Sequence, residues 1–259
     1  MTGLSDDALL DLVQARTLRY FWDFGHPVSG MARERSAGDY GYDLAETVTT
    51  GGTGFGLMAL IAGAERGFLP RKGVIERIAQ IVDFLAKAPR YQGAFAHWMN
   101  GTTGATVAFS PNDDGGDIVE TAFLMMGLLT ARQWLGPGPL ASRIDALWQT
   151  VNWAAFCPSP DRLMWHWTDR GDWADALPIT GYHEALIAFV LALASPTHPI
   201  DPAAYEVGWK TSKTFENGKR FYGIRLPLGP DYGGPLFFTQ YSFLGLDPRG
   251  LTDRHADYL

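Results

Sequence analysis

Cysteine is almost missing from this chain of 259 residues: Cys157 stands alone, which excludes an internal disulfide framework and a thiolate metal site. Long apolar runs are missing as well. No stretch of about 18 residues is free of polar groups, so the sequence offers no transmembrane helix. A basic stripe is also lacking, because 21 Lys and Arg are scattered among 28 Asp and Glu for a net charge of -7. That balance argues against nucleic acid as a partner. From Met1 to Leu12 there is neither a basic n-region nor an apolar h-region, so no signal peptide is recognisable and the cytoplasm is the default expectation. A processed periplasmic or secreted protein would read the same.

Aromatic residues are plentiful. With 46% hydrophobic and 13% aromatic content, the chain can build one large core, and a single domain over 1–259 is expected. Nine Trp and ten Tyr beside Asp, Asn and Gly suit stacking on sugar rings, although such residues also serve as core.

The most informative stretch is Asn112-Asp113-Asp114-Gly115-Gly116-Asp117-Ile118-Val119-Glu120, four carboxylates in a glycine-broken loop that runs into an apolar helix. Asp117 and Glu120 are three apart and share a helix face, where two carboxyl groups in one cleft can take different acid and base roles. A capping box, with Asp117 as N-cap and Glu120 reaching back, explains the same pair without a ligand. The spelling Asp113-Asp114-x-x-Asp117 also fits the magnesium–diphosphate motif of helical prenyl-transfer enzymes, but that motif needs its acids on a helix and the Gly-Gly pair opposes it.

Periodicity predicts helices near 5–24, 52–66, 71–88, 117–135, 139–156, 181–194 and 201–213. Those near 5–24, 71–88 and 139–156 are amphipathic, whereas 54–62, 118–129 and 185–194 are apolar all round. The alternation of outer and inner helices is the pattern of an α/α toroid. Each apolar helix follows a polar or glycine-rich lead-in: Asp43 to Thr47 with Thr49 to Thr53, Asn112 to Asp117, and Thr180 to Glu184. Parallel inner helices would gather all three lead-ins at one end. Short rim strands are expected around Phe95 to Trp98, Val107 to Phe109 and Met164 to Trp167.

Glu184 is the only charged group in the helix it is expected to open, either as a catalytic carboxyl or as a first-turn acid favoured by the helix dipole. The histidines His97, His166, His183 and His198 are not at H-x-x-x-H spacing, so no metal site is expected. Gly51-Gly52-Thr53-Gly54-Phe55-Gly56 matches neither dinucleotide nor P-loop patterns and reads as close helix packing.

Several blocks together resemble the bacterial glycoamylase-like family that includes endo-β-1,2-glucanases, a module of which also occurs in cyclic β-1,2-glucan synthases. They are Arg19 to Trp22, His26 to Gly30, Glu34-Arg35, Thr50 to Gly56, Asp113 to Thr121, Gly181-Tyr182-His183-Glu184, Ala194 to Pro199, and Phe238 to Gly250. The resemblance implies an all-α (α/α)6 toroid that hydrolyses β-1,2-linked glucose polymers with inversion, with no cofactor and no metal. It matches Glu184 to the family's general acid and Asp113 and Asp117 to acids of its cleft. Substrate contacts are expected from Asp114, Glu120, His97, Trp98, Tyr182, His183 and Arg35. Family members continue beyond the block at Leu246 to Gly250, so an incomplete ring is expected, with self-association through its open edge or a degenerate glucan-binding role as the alternative.

Overall fold

The structure is a computed structural model that describes residues 3–36, 45–168 and 176–259. Asp43 and Leu44, from the first polar lead-in, lie outside the described residues. The molecule is mostly helical with short strands. Among the described residues six α-helices carry it: α1 (Asp6–Trp22), α2 (Thr50–Glu65), α3 (Arg71–Leu85), α4 (Ile118–Leu135), α5 (Pro139–Gln149) and α6 (Leu186–Leu193).

The two helix types separate as their patterns demand. Residues on every face of α4 are buried, with Ile118, Ala122, Leu124, Met125 and Leu128 wholly removed from solvent, and α6 is likewise buried around Ala188 and Phe189. In contrast, α3 buries one stripe, Val74, Ile78, Ile81, Val82 and Leu85, and α5 buries Ala141, Ile144, Leu147 and Trp148. Each such Leu, Ile or Val contributes about 1.5–3 kcal/mol from burial. Helices α2 and α4 cross closely because glycine meets glycine. A Cβ on Gly54 would collide with the carbonyl of Phe123, and one on Gly127 with the carbonyl of Gly54. The glycine run is therefore a packing device, as its sequence suggests.

Three short strands, β1 (Thr47–Thr49), β2 (Trp98–Asn100) and β3 (Thr106–Val107), form an antiparallel sheet in which Thr49 faces Trp98. A second pair, β4 (Gly116–Asp117) and β5 (His166–Trp167), places Asp117 opposite His166. A hairpin of β6 (Arg220–Phe221) and β7 (Ile224–Arg225) follows later in the chain.

Three predicted helices are shorter than their periodicity. The expected 139–156 helix stops at Gln149, and Asn152 then caps a separate 3-10 turn over Trp153–Phe156 by accepting from the Ala155 N–H. The expected 201–213 helix is a π-helix over Ala204–Trp209. The expected 181–194 helix begins only at Leu186, because Gly181 sits at φ 81° and the turn through Glu184 is held from outside the helix. The C-terminal segment returns to the core through Lys210, which is buried and donates to Asp253 at 2.7 Å over the face of Tyr205. Among the described residues, no helix is long and apolar enough to cross a membrane.

Candidate active site

The described parts of the three polar lead-ins are linked to one another: Gly51 donates to Glu120 of α4, and Trp165, which donates to Asp117, stacks on His183. At the start of α4, Asp117 is fully buried and serves as N-cap, its Oδ1 accepting from the N–H groups of Val119 and Glu120 at 2.9 Å each. Its other oxygen accepts from the Trp165 indole N–H at 3.2 Å. Glu120 departs from the capping-box expectation. Instead of reaching back to the Asp117 N–H, which bonds to the Phe95 carbonyl, it reaches across to α2 and accepts from the Gly51 N–H at 2.8 Å.

His97 lies among these acids, just ahead of β2. Its Nδ1 is 2.9 Å from Asp113 Oδ2 and 3.2 Å from Asp117 Oδ2, and its Nε2 is 3.9 Å from Glu120. Phe109 stacks on the imidazole at 4.1 Å, and Trp98 meets both rings edge-on. Burial alone would lower the imidazole pKa, but the hydrogen bonds to Asp113 and Asp117 outweigh it and raise His97 to about 11. His97 is therefore a cation at neutral pH. Burial works the other way on Asp113, and the neighbouring His166 and His97 imidazoles overcome it to hold that carboxyl below its usual range. For Glu120 burial wins, and with Asp117 nearby it lifts the carboxyl to about 7 against the pull of His97 and Gly51.

His166, across the β4–β5 pair, brings Nδ1 to 3.6 Å from Asp113 Oδ1. Both of those atoms are buried without a hydrogen-bond partner, as is Asp114 Oδ1. Buried polar atoms of this kind in one place mark a site built for further hydrogen bonds. The ligand atoms of His97, Asp113 and Asp117 lie within 4.8 Å of one another.

Glu184 joins this cluster through aromatic side chains. Trp165, which holds Asp117, stacks on His183 at 5.4 Å, and His183 Nδ1 is 3.5 Å from Glu184 Oε2. That oxygen is buried and has no hydrogen-bond partner. Glu184 lies two residues before α6, so it is not the first-turn acid that the longer helix would have made it.

The other expected contacts divide. Trp98 stands beside His97, whereas Tyr182 is a core residue, 4% exposed among Trp209, Phe215 and Tyr258, its hydroxyl raised to about 12 by burial. Arg35 is paired with Glu34. Trp165 and His166 were not singled out as site residues in the sequence. Their signal was the rim strand expected at Met164 to Trp167, but its pairing with Asp117 is a long-range fact.

Carboxyl groups at the starts of buried helices, with aromatic side chains beside them, make this the candidate site of a helix-on-helix protein. Comparison with known proteins specifies the kind. The family model Glycoamylase matches residues 176–259. Endo-β-1,2-glucanase from Chitinophaga pinensis, solved with sophorotriose and glucose, is 46% identical with a TM-score of 0.94, over 99% of this chain and 64% of that one. A β-1,2-glucanase structure from Parabacteroides distasonis is 39% identical with a TM-score of 0.92, over 99% of this chain and 40% of that one. An exo β-1,2-glucooligosaccharide sophorohydrolase of the same organism is 39% identical over 280 residues, 98% of this chain and 38% of its own length. The chain is similar to these β-1,2-glucanases and, over residues 176–259, to the glycoamylase family. It spans less than two-thirds of the length of each of these relatives.

Proposed function

We propose that the protein is a glycoside hydrolase that cleaves β-1,2-glucan, built as part of an (α/α)6 toroid. The observation that carries this reading is the convergence of Asp113, Asp117, Glu120 and Glu184 at one end of the inner helices, linked through His97, Trp165 and His183. The β-1,2-glucan named for the relatives supports the substrate.

Glu184 is the general acid. Its Oε2 is buried without a hydrogen-bond partner, and His183 Nδ1, 3.5 Å away, is engaged by the Ala185 N–H, which leaves that oxygen free to meet the glycosidic oxygen. Asp117 spends both oxygens on the frame of the site. Asp113 retains Oδ1 for water or a sugar hydroxyl, and Glu120, raised to about 7, has the basicity suited to proton uptake near neutral pH. His97 fixes the negative charge of Asp113 and Asp117, while Trp98 and Asp114 complete the sugar-facing wall. An inverting mechanism places the attacking water opposite the leaving oxygen, between carboxyls about 6.5–9.5 Å apart.

A cleft of about 570 Å³ between Ile61, Met126, Leu129, Ile187, Val190 and Leu246 leaves apolar inner-helix surface open, which supports association with a second copy of the chain. Sedimentation at rising concentration tests that association.

Reducing-sugar release from linear β-1,2-glucan, with starch and β-1,3-glucan as controls, tests the proposed activity. Release from the β-1,2 polymer alone is expected. Binding without release would make the protein a glucan-binding module.

A further inference from the structure

We propose that Ser242 is a positioning residue that sets Glu184 against the acid cluster, an inference that rests on Glu184 acting as the acid. Helix α6 has no cap of its own: its N-cap position is Ala185, whose side chain cannot accept a hydrogen bond. The missing cap comes from a residue 55 positions away. Ser242 Oγ accepts from the Ile187 N–H at 3.0 Å, the bond an N-cap serine would make. The same hydroxyl donates to the Glu184 carbonyl at 2.8 Å. One buried hydroxyl, 2% exposed, thus closes both the last turn before the helix and the N–H of its second residue.

Ser242 is itself held by the other inner helices. Its neighbour Tyr241 packs on Phe55 of α2 at 4.6 Å and on Phe123 of α4 at 5.7 Å. The chain of contact therefore runs from α4, which carries Glu120 and is capped by Asp117, and from α2, whose Gly51 N–H binds Glu120, through Tyr241 and Ser242, to the backbone of Glu184. Helix α4 draws its cap from a site acid, Asp117, and α6 draws its cap from Ser242, so both caps also locate a carboxyl group. Displacement of a catalytic group by about 1 Å can cost about a hundredfold in rate, which is the scale of effect open to a residue that never touches substrate.

Three readouts on the full chain, wild type and Ser242→Ala, test this assignment. In the wild type the Ile187 amide is expected to be protected from hydrogen exchange; an unprotected amide would overturn the inference without any variant. In Ser242→Ala the Ile187 amide is expected to exchange about tenfold faster or more, with the Leu124 and Met125 amides of α4 unchanged. Equal loss of protection in α4 would mean general destabilisation and would also overturn it. The Glu184 carboxyl carbon resonance is expected to move in Ser242→Ala at fixed pH; an unchanged resonance would contradict positioning. Where turnover is measured, kcat should fall about tenfold with KM within about twofold. Full turnover in Glu184→Gln would defeat the acid assignment alone, since the exchange readouts do not depend on it.

Discussion

Glu120, in the first turn of α4, accepts the backbone N–H of Gly51, at the start of α2, at 2.8 Å. This bond joins two inner helices at their N-termini, where unpaired N–H groups favour an anion, yet burial holds the carboxyl at about 7.

Because the Glu120 carboxyl is raised from 4.5 to about 7, the folded state binds its proton more tightly than the unfolded chain does. The stability this contributes is fully present below about pH 4.5 and is lost as pH rises through about 7. Denaturant unfolding of wild type and Glu120→Gln from pH 4 to 8 should show wild type losing ground to the variant across that window, by about 1–3 kcal/mol, and no further above it. A constant difference across the range would refute the raised carboxyl.

The imidazole of His97 predicts a loss of the same sign at higher pH. Raised from 6.5 to about 11, it contributes stability that is complete below pH 6.5 and fades as pH climbs toward 11. His97→Gln should therefore lose most relative to wild type in the acid part of that range, and turnover should survive a chelator, since the cation between Asp113 and Asp117 is a proton-bearing ring. Activity abolished by chelation and restored by a divalent ion would contradict this charge assignment.

Gly54 and Gly127 set the spacing of α2 and α4. Gly54→Ala would drive a methyl group into the Phe123 carbonyl, backbone that cannot rotate away, so a loss of about 3 kcal/mol or more is expected in thermal or denaturant unfolding. Near-neutral behaviour would mean the helices cross elsewhere.

Inversion has a direct signature. Proton NMR of the first products from a β-1,2-glucan should show the α-anomer before mutarotation. Initial release of the β-anomer would require a covalent intermediate and a different pairing of carboxyls.

Much of this arrangement was legible because it is local. The greasy runs at 54–62 and 118–129, the loop acids Asp113 to Asp117, and the Gly51 to Gly56 packing run each follow from composition over a few residues. What the sequence did not show depends on distant partners. Glu120 looks like half of a capping box until Gly51, 69 residues earlier, is seen to claim it. His97 and His166 share no metal spacing, yet both reach Asp113, His166 across the β4–β5 pair and His97 from the residue ahead of β2. Tyr182 lies in a motif beside Glu184 and still turns into the core, because Trp209 and Phe215 from later segments enclose it. The start of α6 was misplaced for the same reason, since its cap comes from Ser242.

The most direct test of the account compares wild type with Glu184→Gln on linear β-1,2-glucan, measuring reducing-end release and glucan binding in parallel. The account predicts that release falls at least about a hundredfold in the variant while binding is retained. Undiminished release would contradict Glu184 as the acid and with it the proposed mechanism.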